Sequence, residues 1–288
     1  MNVQIESENL TVLVNHRGAE LCSVKNKSLL EYIWTANKDV WPRHSPVLFP
    51  IVGKLRNDAY SYLSKEYRMT QHGFARDLDF DLVQHAANSC TFELRSNPDT
   101  KRNYPFEFLF QIAYLLEENT LSTEFRVVNL SPQNMLFSVG AHPGFNCPLL
   151  PGESFEDYFF DLEKSSYEIR ELDNGLRLPN KKTLSAPHTK LFLSSSLFDK
   201  DALVFEGHQL NSVTLRSLTS HHSIRLDCAG WPYFGLWSKK ACRQFVCMEP
   251  WYGIADQTSS EGNLAKKEGI IVLPAGEEHL CSYSLTFH

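Results

Sequence analysis

Apolar and polar positions alternate with a period of two over much of this chain, the repeat of a strand that buries one face and wets the other. The clearest case sets Leu121, Thr123, Phe125 and Val127 against Ser122, Glu124 and Arg126. With residues 106–116 before it and the polar Glu117-Glu118-Asn119-Thr120 between, the run 121–130 predicts the second arm of a half-buried antiparallel hairpin. Residues 11–14 and 19–24 predict another, turning through Asn15-His16-Arg17-Gly18. Further strands are expected at 59–63, 66–69, 135–139, 167–172, 213–218, 223–228, 270–273 and 280–287. Helical periodicity is scarce: 194–198 suggests a helical turn and 263–267 a short helix. The passage from Trp34 to Pro50 holds three prolines, at 42, 46 and 50, which forbid a helix and predict a long ordered loop with a short strand at 47–49.

This pattern amounts to roughly fifteen or more strands with almost no amphipathic helix, which predicts packed antiparallel sheets. The expected fold is all-β, a large antiparallel β-sandwich. No linker composition, repeat or low-complexity stretch divides the sequence, so residues 1–288 are expected to form one domain.

Composition narrows the function. A net charge of −6 and the lack of a Lys/Arg cluster argue against nucleic acid and leave a small or neutral ligand. The cysteines, at 22, 90, 147, 228, 242, 247 and 281, are odd in number and contain no C-x-x-C pair, so they read as reduced, buried thiols. The N-terminal residues lack a basic, apolar leader and no apolar stretch approaches membrane-spanning length, so the expected setting is cytoplasmic, without a membrane partner. His221-His222 has no ligand-spaced residue around it and reads as a surface turn rather than a metal site. Nothing in the sequence marks an oligomer interface.

The candidate chemistry centres on Phe245-Val246-Cys247-Met248-Glu249-Pro250-Trp251-Tyr252-Gly253, where an apolar run delivers one carboxylate and a proline follows directly. A carboxylate drawn out of water is costly unless paired, so Glu249 is either held by an arginine or works as a base of raised pKa beside Trp251 and Tyr252. Two histidines stand at other strand ends. His142 lies in the Gly/Pro-punctuated turn Gly140-Ala141-His142-Pro143-Gly144-Phe145-Asn146, and His72 in Gln71-His72-Gly73-Phe74-Ala75-Arg76. Asp201 heads the apolar run Asp201-Ala202-Leu203-Val204-Phe205, as a solvent-facing strand start or a site residue. In a sandwich, such distant strand ends can meet on one face.

A carboxylate with an imidazole supplies one base and one acid near neutral pH, which suits proton transfer at a sugar's anomeric centre. Glu249 would take the O1 proton of a pyranose while His142 protonates the ring oxygen; no cofactor or metal is needed. Glycoside hydrolysis calls for two flanking carboxylates, and only one strong candidate is found. Cys147, five residues after His142, reads as a small apolar residue, and no phosphate-binding glycine loop occurs.

The segments around His72, His142 and Glu249, in their order and spacing, resemble the aldose 1-epimerases, or galactose mutarotases, and in particular the shorter bacterial branch often encoded with lactose-utilisation genes. The likeness extends from Gly18-Ala19-Glu20-Leu21 to Pro274-Ala275-Gly276-Glu277. The resemblance implies a β-supersandwich with an open cleft, mutarotase activity on aldohexoses and no cofactor. It implies Glu249 as general base, His142 as general acid, His72 as the histidine that bonds the sugar near the ring oxygen, and Asp201 as a substrate-binding residue. Arg56 and Arg43 both qualify for the family's sugar-contacting arginine. The His-Gly-Phe-Ala-Arg form is also found in relatives that act on hexose 6-phosphates, a role for which Arg43, Lys54, Arg56 and Arg76 are available here; no basic cluster is evident, so a neutral hexose is the first expectation. A sugar-binding protein without turnover is the alternative from another class.

Overall fold

The computed structural model describes residues 2–288. Two large antiparallel sheets carry the fold, one of nine strands and one of eight, with three small sheets of two or three strands beside them.

The nine-stranded sheet is built of long ladders. Phe108–Glu117 pairs with Thr120–Asn129 without a register shift, and Thr120–Asn129 pairs in turn with the closing strand Glu278–Phe287. This is the hairpin that the alternation predicts, with Leu121, Thr123, Phe125 and Val127 buried and Glu124 exposed. Its inner face meets the second sheet through rings. Phe49 stacks on Phe110 at 4.6 Å, and Phe125 meets Trp231, which packs on Tyr252 at 4.8 Å. Each such ring removed from water contributes on the order of 1.5–3 kcal/mol before conformational entropy is set against it.

The eight-stranded sheet is more broken. In spatial order it runs Leu176–Ser185, Ser166–Asp173, Leu203–Glu206, Tyr233–Trp237, Phe245–Tyr252, Val139–Ala141 and Val47–Leu48, and Gly144–Asn146 also pairs with Phe245–Tyr252. Several of these strands have only two or three residues.

The first predicted hairpin is present as Leu10–Asn15 and Leu21–Asn26, extended by an unpredicted strand, Asn2–Glu6. Also unpredicted are Asp81–Ala86, Ser89–Arg95 and the helix Pro98–Asn103, whose Asn97 cap accepts from the Asp99 and Thr100 amides. The short helix expected near 263–267 is a 3-10 turn, Leu264–Lys266, capped by Asn263. Residues 194–198 form turns and no helix. The proline-rich loop is ordered by the Trp34 indole, which donates to the Trp41 carbonyl at 2.9 Å. Among the described residues no helix is long and apolar enough to cross a membrane.

Candidate active site

The strand Phe245–Tyr252 presents its odd-numbered residues to one face and its even-numbered residues to the other. Val246, Met248 and Tyr252 join the main core, while Glu249 and Trp251 face a cavity of 340 Å³. Tyr252, expected beside the carboxylate, therefore turns away: its hydroxyl donates to the Gly230 carbonyl and its ring packs on Trp231. The aromatic walls of the cavity are instead Trp41, Trp237 and Trp251. Gly235, opposite Glu249 in the ladder, makes room for the Trp251 ring, since a Cβ there would lie 2.5 Å from it.

Sheet register brings the first histidine in. Gly140 pairs with Trp251 and Gly144 with Cys247 along the same strand, so continuing the register sets residue 142 opposite Glu249. The ladder breaks at His142-Pro143, and the imidazole closes on the carboxyl: His142 Nε2 lies 3.2 Å from Glu249 Oε2. The ring is flanked by Trp41 at 5.0 Å and by the edge of Trp237 at 5.5 Å. No arginine holds Glu249; its close polar partner is the His142 imidazole.

His72 reaches the same place from a strained turn. Its φ is +67° and that of Gly73 is +73°, and a Cβ on Gly73 would fall 2.3 Å from the Phe49 carbonyl oxygen. The His72 Nδ1 accepts from the Gly53 amide at 3.1 Å, which assigns its proton to Nε2. That N–H meets the Gln71 side-chain amide, whose oxygen accepts it once the amide is turned, and the His72 ring lies edge-on to His142 at 5.6 Å. Gln71, not singled out by the sequence, also lines the cavity, with its Nε2 3.3 Å from His72 Nε2. In an ordinary strand the two would face opposite ways; the positive φ at His72 gathers both.

Asp201 and Arg76 complete the lining. The Asp201 carboxylate accepts from the Ala202 amide at 2.9 Å. Arg76 donates to the Gln71 carbonyl at 2.6 Å, and its buried Nε makes no hydrogen bond but lies 3.8 Å from the Asp77 carboxylate. Arg43 pairs with Asp77 at 3.1 Å, behind Arg76 rather than in the cavity wall. Arg56 is a correction: its amide donates to Asp256 and its guanidinium to the Ser260 carbonyl at 2.8 Å, so the side chain lies in a separate surface depression and not with Glu249. Leu172, on the predicted strand Ser166–Asp173, and Gly175, in the turn after it, overhang the cavity; the second arm, Leu176–Ser185, is unpredicted because Pro179, Asn180, Lys181 and Lys182 interrupt its alternation.

Burial sets the electrostatics. It raises the Glu249 carboxyl well above the usual carboxylate range, with the Asp201 charge adding to it; the Trp251 indole offsets this in part without forming a hydrogen bond of good geometry. It pushes His142 down to about 3, helped by the Arg76 charge, and holds His72 well below its ordinary value, helped by His142 and Arg76. Burial likewise raises Asp201. Each of these groups is thus drawn toward its neutral form, as a water-poor site for a neutral polar ligand requires. Two cavity polar atoms besides Arg76 Nε are buried without partners, His142 Nδ1 and Trp251 Nε1. As for metals, His142, Cys247 and Glu249 bring their donor atoms within 4.8 Å of one another, while the pair His221-His222 takes no part in such a group among the described residues.

A family model described as aldose 1-epimerase matches residues 1–271. Protein LacX of Lactococcus lactis subsp. lactis, in its plasmid form, is 36% identical over 274 residues, which cover 92% of this chain and 91% of that protein. The crystal structure of a galactose mutarotase related enzyme from Lactobacillus acidophilus superposes with a TM-score of 0.95 at 40% identity, covering 100% of this chain and 97% of the other. A galactose mutarotase-like protein from Lactobacillus casei gives a TM-score of 0.91 at 33% identity, with 100% of each chain covered. The family model over residues 1–271 and the 36% identity to LacX over 92% of the chain place the chain in the aldose 1-epimerase family.

Proposed function

We propose that the protein is a mutarotase that interconverts the α and β anomers of a free aldohexose such as galactose or glucose, as one domain and without a cofactor. The observation that carries this reading is the 3.2 Å contact of His142 and Glu249 at a cavity bounded by three tryptophans. The two groups share one proton. A pyranose with its O1 hydroxyl donating to Glu249 and its ring oxygen accepting from His142 stabilises the arrangement of carboxylate and imidazolium. Glu249 then takes the O1 proton as the C1–O1 double bond forms, the bond from C1 to the ring oxygen breaks, and His142 protonates that oxygen.

The step turns a buried ion pair into a buried neutral pair, so desolvation, which draws both groups to their neutral forms, favours ring opening. Rotation about C1–C2 and the reverse transfers close the other anomer. His72 donates its Nε2–H near the ring oxygen, Asp201 and Arg76 bind hydroxyls, and the indoles cover the apolar face of the ring. Seven unpaired thiols support a reducing, cytoplasmic setting.

One observation favours a second reading. Arg76, whose buried Nε makes no hydrogen bond, stands with Arg43 around the single carboxylate of Asp77, which leaves net positive charge for the phosphate of a hexose 6-phosphate. A binder without turnover needs no acid/base pair, so the contact of His142 and Glu249 argues against it. Optical rotation separates these. Freshly dissolved α-D-galactose or α-D-glucose should equilibrate far faster with the protein than without it. If neither sugar responds and glucose 6-phosphate does, the substrate is the phosphate; if none responds, the mutarotase reading fails.

A further inference from the structure

Cys247 lies two residues before Glu249 on the same face of the same strand, fully buried, and the reaction above makes no use of it. We propose that His142, Glu249 and Cys247 form a three-ligand site for a borderline-soft divalent cation such as zinc, which blocks the acid/base pair when it binds.

The donor set is one imidazole nitrogen, one carboxylate oxygen and one thiol sulfur, all within 4.8 Å of one another. Tetrahedral zinc with bonds of about 2.0–2.1 Å to nitrogen and oxygen and about 2.3 Å to sulfur separates its ligands by about 3.3 Å for N to O and about 3.6 Å to sulfur. His142 Nε2 and Glu249 Oε2 already stand 3.2 Å apart. Only the sulfur has to draw closer, a rotamer-scale adjustment. The three ligands converge from two adjacent pieces of sheet, since Cys247 is the ladder partner of Gly144, just past His142.

Access and charge also fit. His142 and Glu249 line the cavity while Cys247 lies beneath it, so an ion arrives from the solvent side and keeps its fourth position open to water or a sugar hydroxyl. Binding releases the thiol proton and the proton shared by the pair to solvent. The thiolate and carboxylate then neutralise the ion, and the Asp201 carboxylate opposes the one nearby cation in the lining, Arg76. His142 is held between Trp41 and Trp237, which fixes its ring for coordination. Since the ion occupies both the acid and the base, its effect on turnover is inhibition.

Binding itself does not depend on the mutarotase reading; inhibition does. Cobalt(II) serves as the direct probe. Wild-type protein titrated with cobalt should develop a thiolate-to-cobalt charge-transfer band that saturates at one ion per chain. The band should vanish in Cys247→Ser and in Cys247→Ala, and persist in Cys242→Ser, which alters the half-buried thiol nearby. Zinc should slow mutarotation, a chelator should restore it, and the half-inhibitory zinc concentration should rise at least ~10-fold in Cys247→Ser, whose rate without zinc should match wild type. No band in the wild type, or a band that survives both Cys247 substitutions, overturns the site. A band lost with Cys247 but without any effect of zinc on a demonstrated mutarotation overturns the inhibition. If no mutarotation exists to inhibit, the cobalt spectrum still decides the site.

Discussion

The two large sheets were assembled by the same rules and differ in what their breaks are used for. In the nine-stranded sheet, Phe108–Glu117, Thr120–Asn129 and Glu278–Phe287 run for ten residues each with an unbroken register. In the eight-stranded sheet the strands that meet Phe245–Tyr252 on one side last three residues, and the gap between them is where His142 sits. The segments around the cavity add left-handed backbone at Gly53, His72, Gly73 and Asp201. A regular ladder alternates its side chains and spends every backbone group on pairing, so it cannot aim two histidines, a carboxylate and an aspartate at one point. The irregular sheet does so because the regular one, packed behind it, holds it in place.

If that division is real, substitutions in the two regions should separate activity from stability. The largest effect belongs to the broken sheet: Glu249→Gln or His142→Asn should each reduce mutarotation on the order of 100- to 10,000-fold while thermal unfolding stays close to wild type. Loss of folding in step with loss of rate would erase the distinction. Next comes the regular sheet, where Phe125, 2% exposed, anchors the interface with Trp231. Phe125→Ala should cost about 3–5 kcal/mol in denaturant unfolding and leave turnover of the folded fraction unchanged.

Gly73→Ala lies between the two, because its backbone conformation positions His72. It should cost more than the about 1–3 kcal/mol of the backbone strain alone, because the added Cβ meets the Phe49 and Pro50 backbone, and the folded fraction should turn over more slowly as His72 is displaced; unchanged turnover of the folded fraction would show that the strain does not serve the site.

The dependence on pH should be smaller still. His142 is pushed down to about 3 by burial, so a second proton reaches the pair only near that pH; Glu249 is raised, so the shared proton leaves only well above the usual carboxylate range. The rate should therefore be flat through mild acid, and a fall centred near the ordinary histidine pKa of about 6.5 would show His142 titrating as a free imidazole. Smallest of all is Arg56→Ala, which should change kcat/KM by less than about twofold, since that guanidinium is tied to Ser260 away from the cavity.

The contrast between the sheets also explains what could be read from sequence. The hairpin of residues 106–130 was legible because one side of a regular ladder is buried and the period of two survives in the residue order. Glu249 was legible as a charge embedded in an apolar strand, and His142 as a histidine locked between turn-forming residues. Leu176–Ser185 was not, because Pro179, Asn180, Lys181 and Lys182 interrupt the alternation that Leu176, Leu178 and Leu184 begin, although the turn leading into it reaches the cavity at Gly175. The side on which Tyr252 falls was decided by strand parity, which adjacency to Glu249 obscured. Gln71 and the true position of Arg56 depend on the left-handed turn at His72 and on the Ser260 carbonyl, contacts far apart in the chain that no local pattern encodes.

The central claim is that Glu249 and His142 act as one proton-transfer unit. Its most direct test is polarimetry of α-D-galactose with Glu249→Gln, His142→Asn and the double variant at equal concentrations of folded protein. A unit broken once is already broken, so the double variant should be no slower than the worse single variant. Losses that multiply in the double variant, or either single variant keeping more than about a tenth of the wild-type rate, would contradict the account.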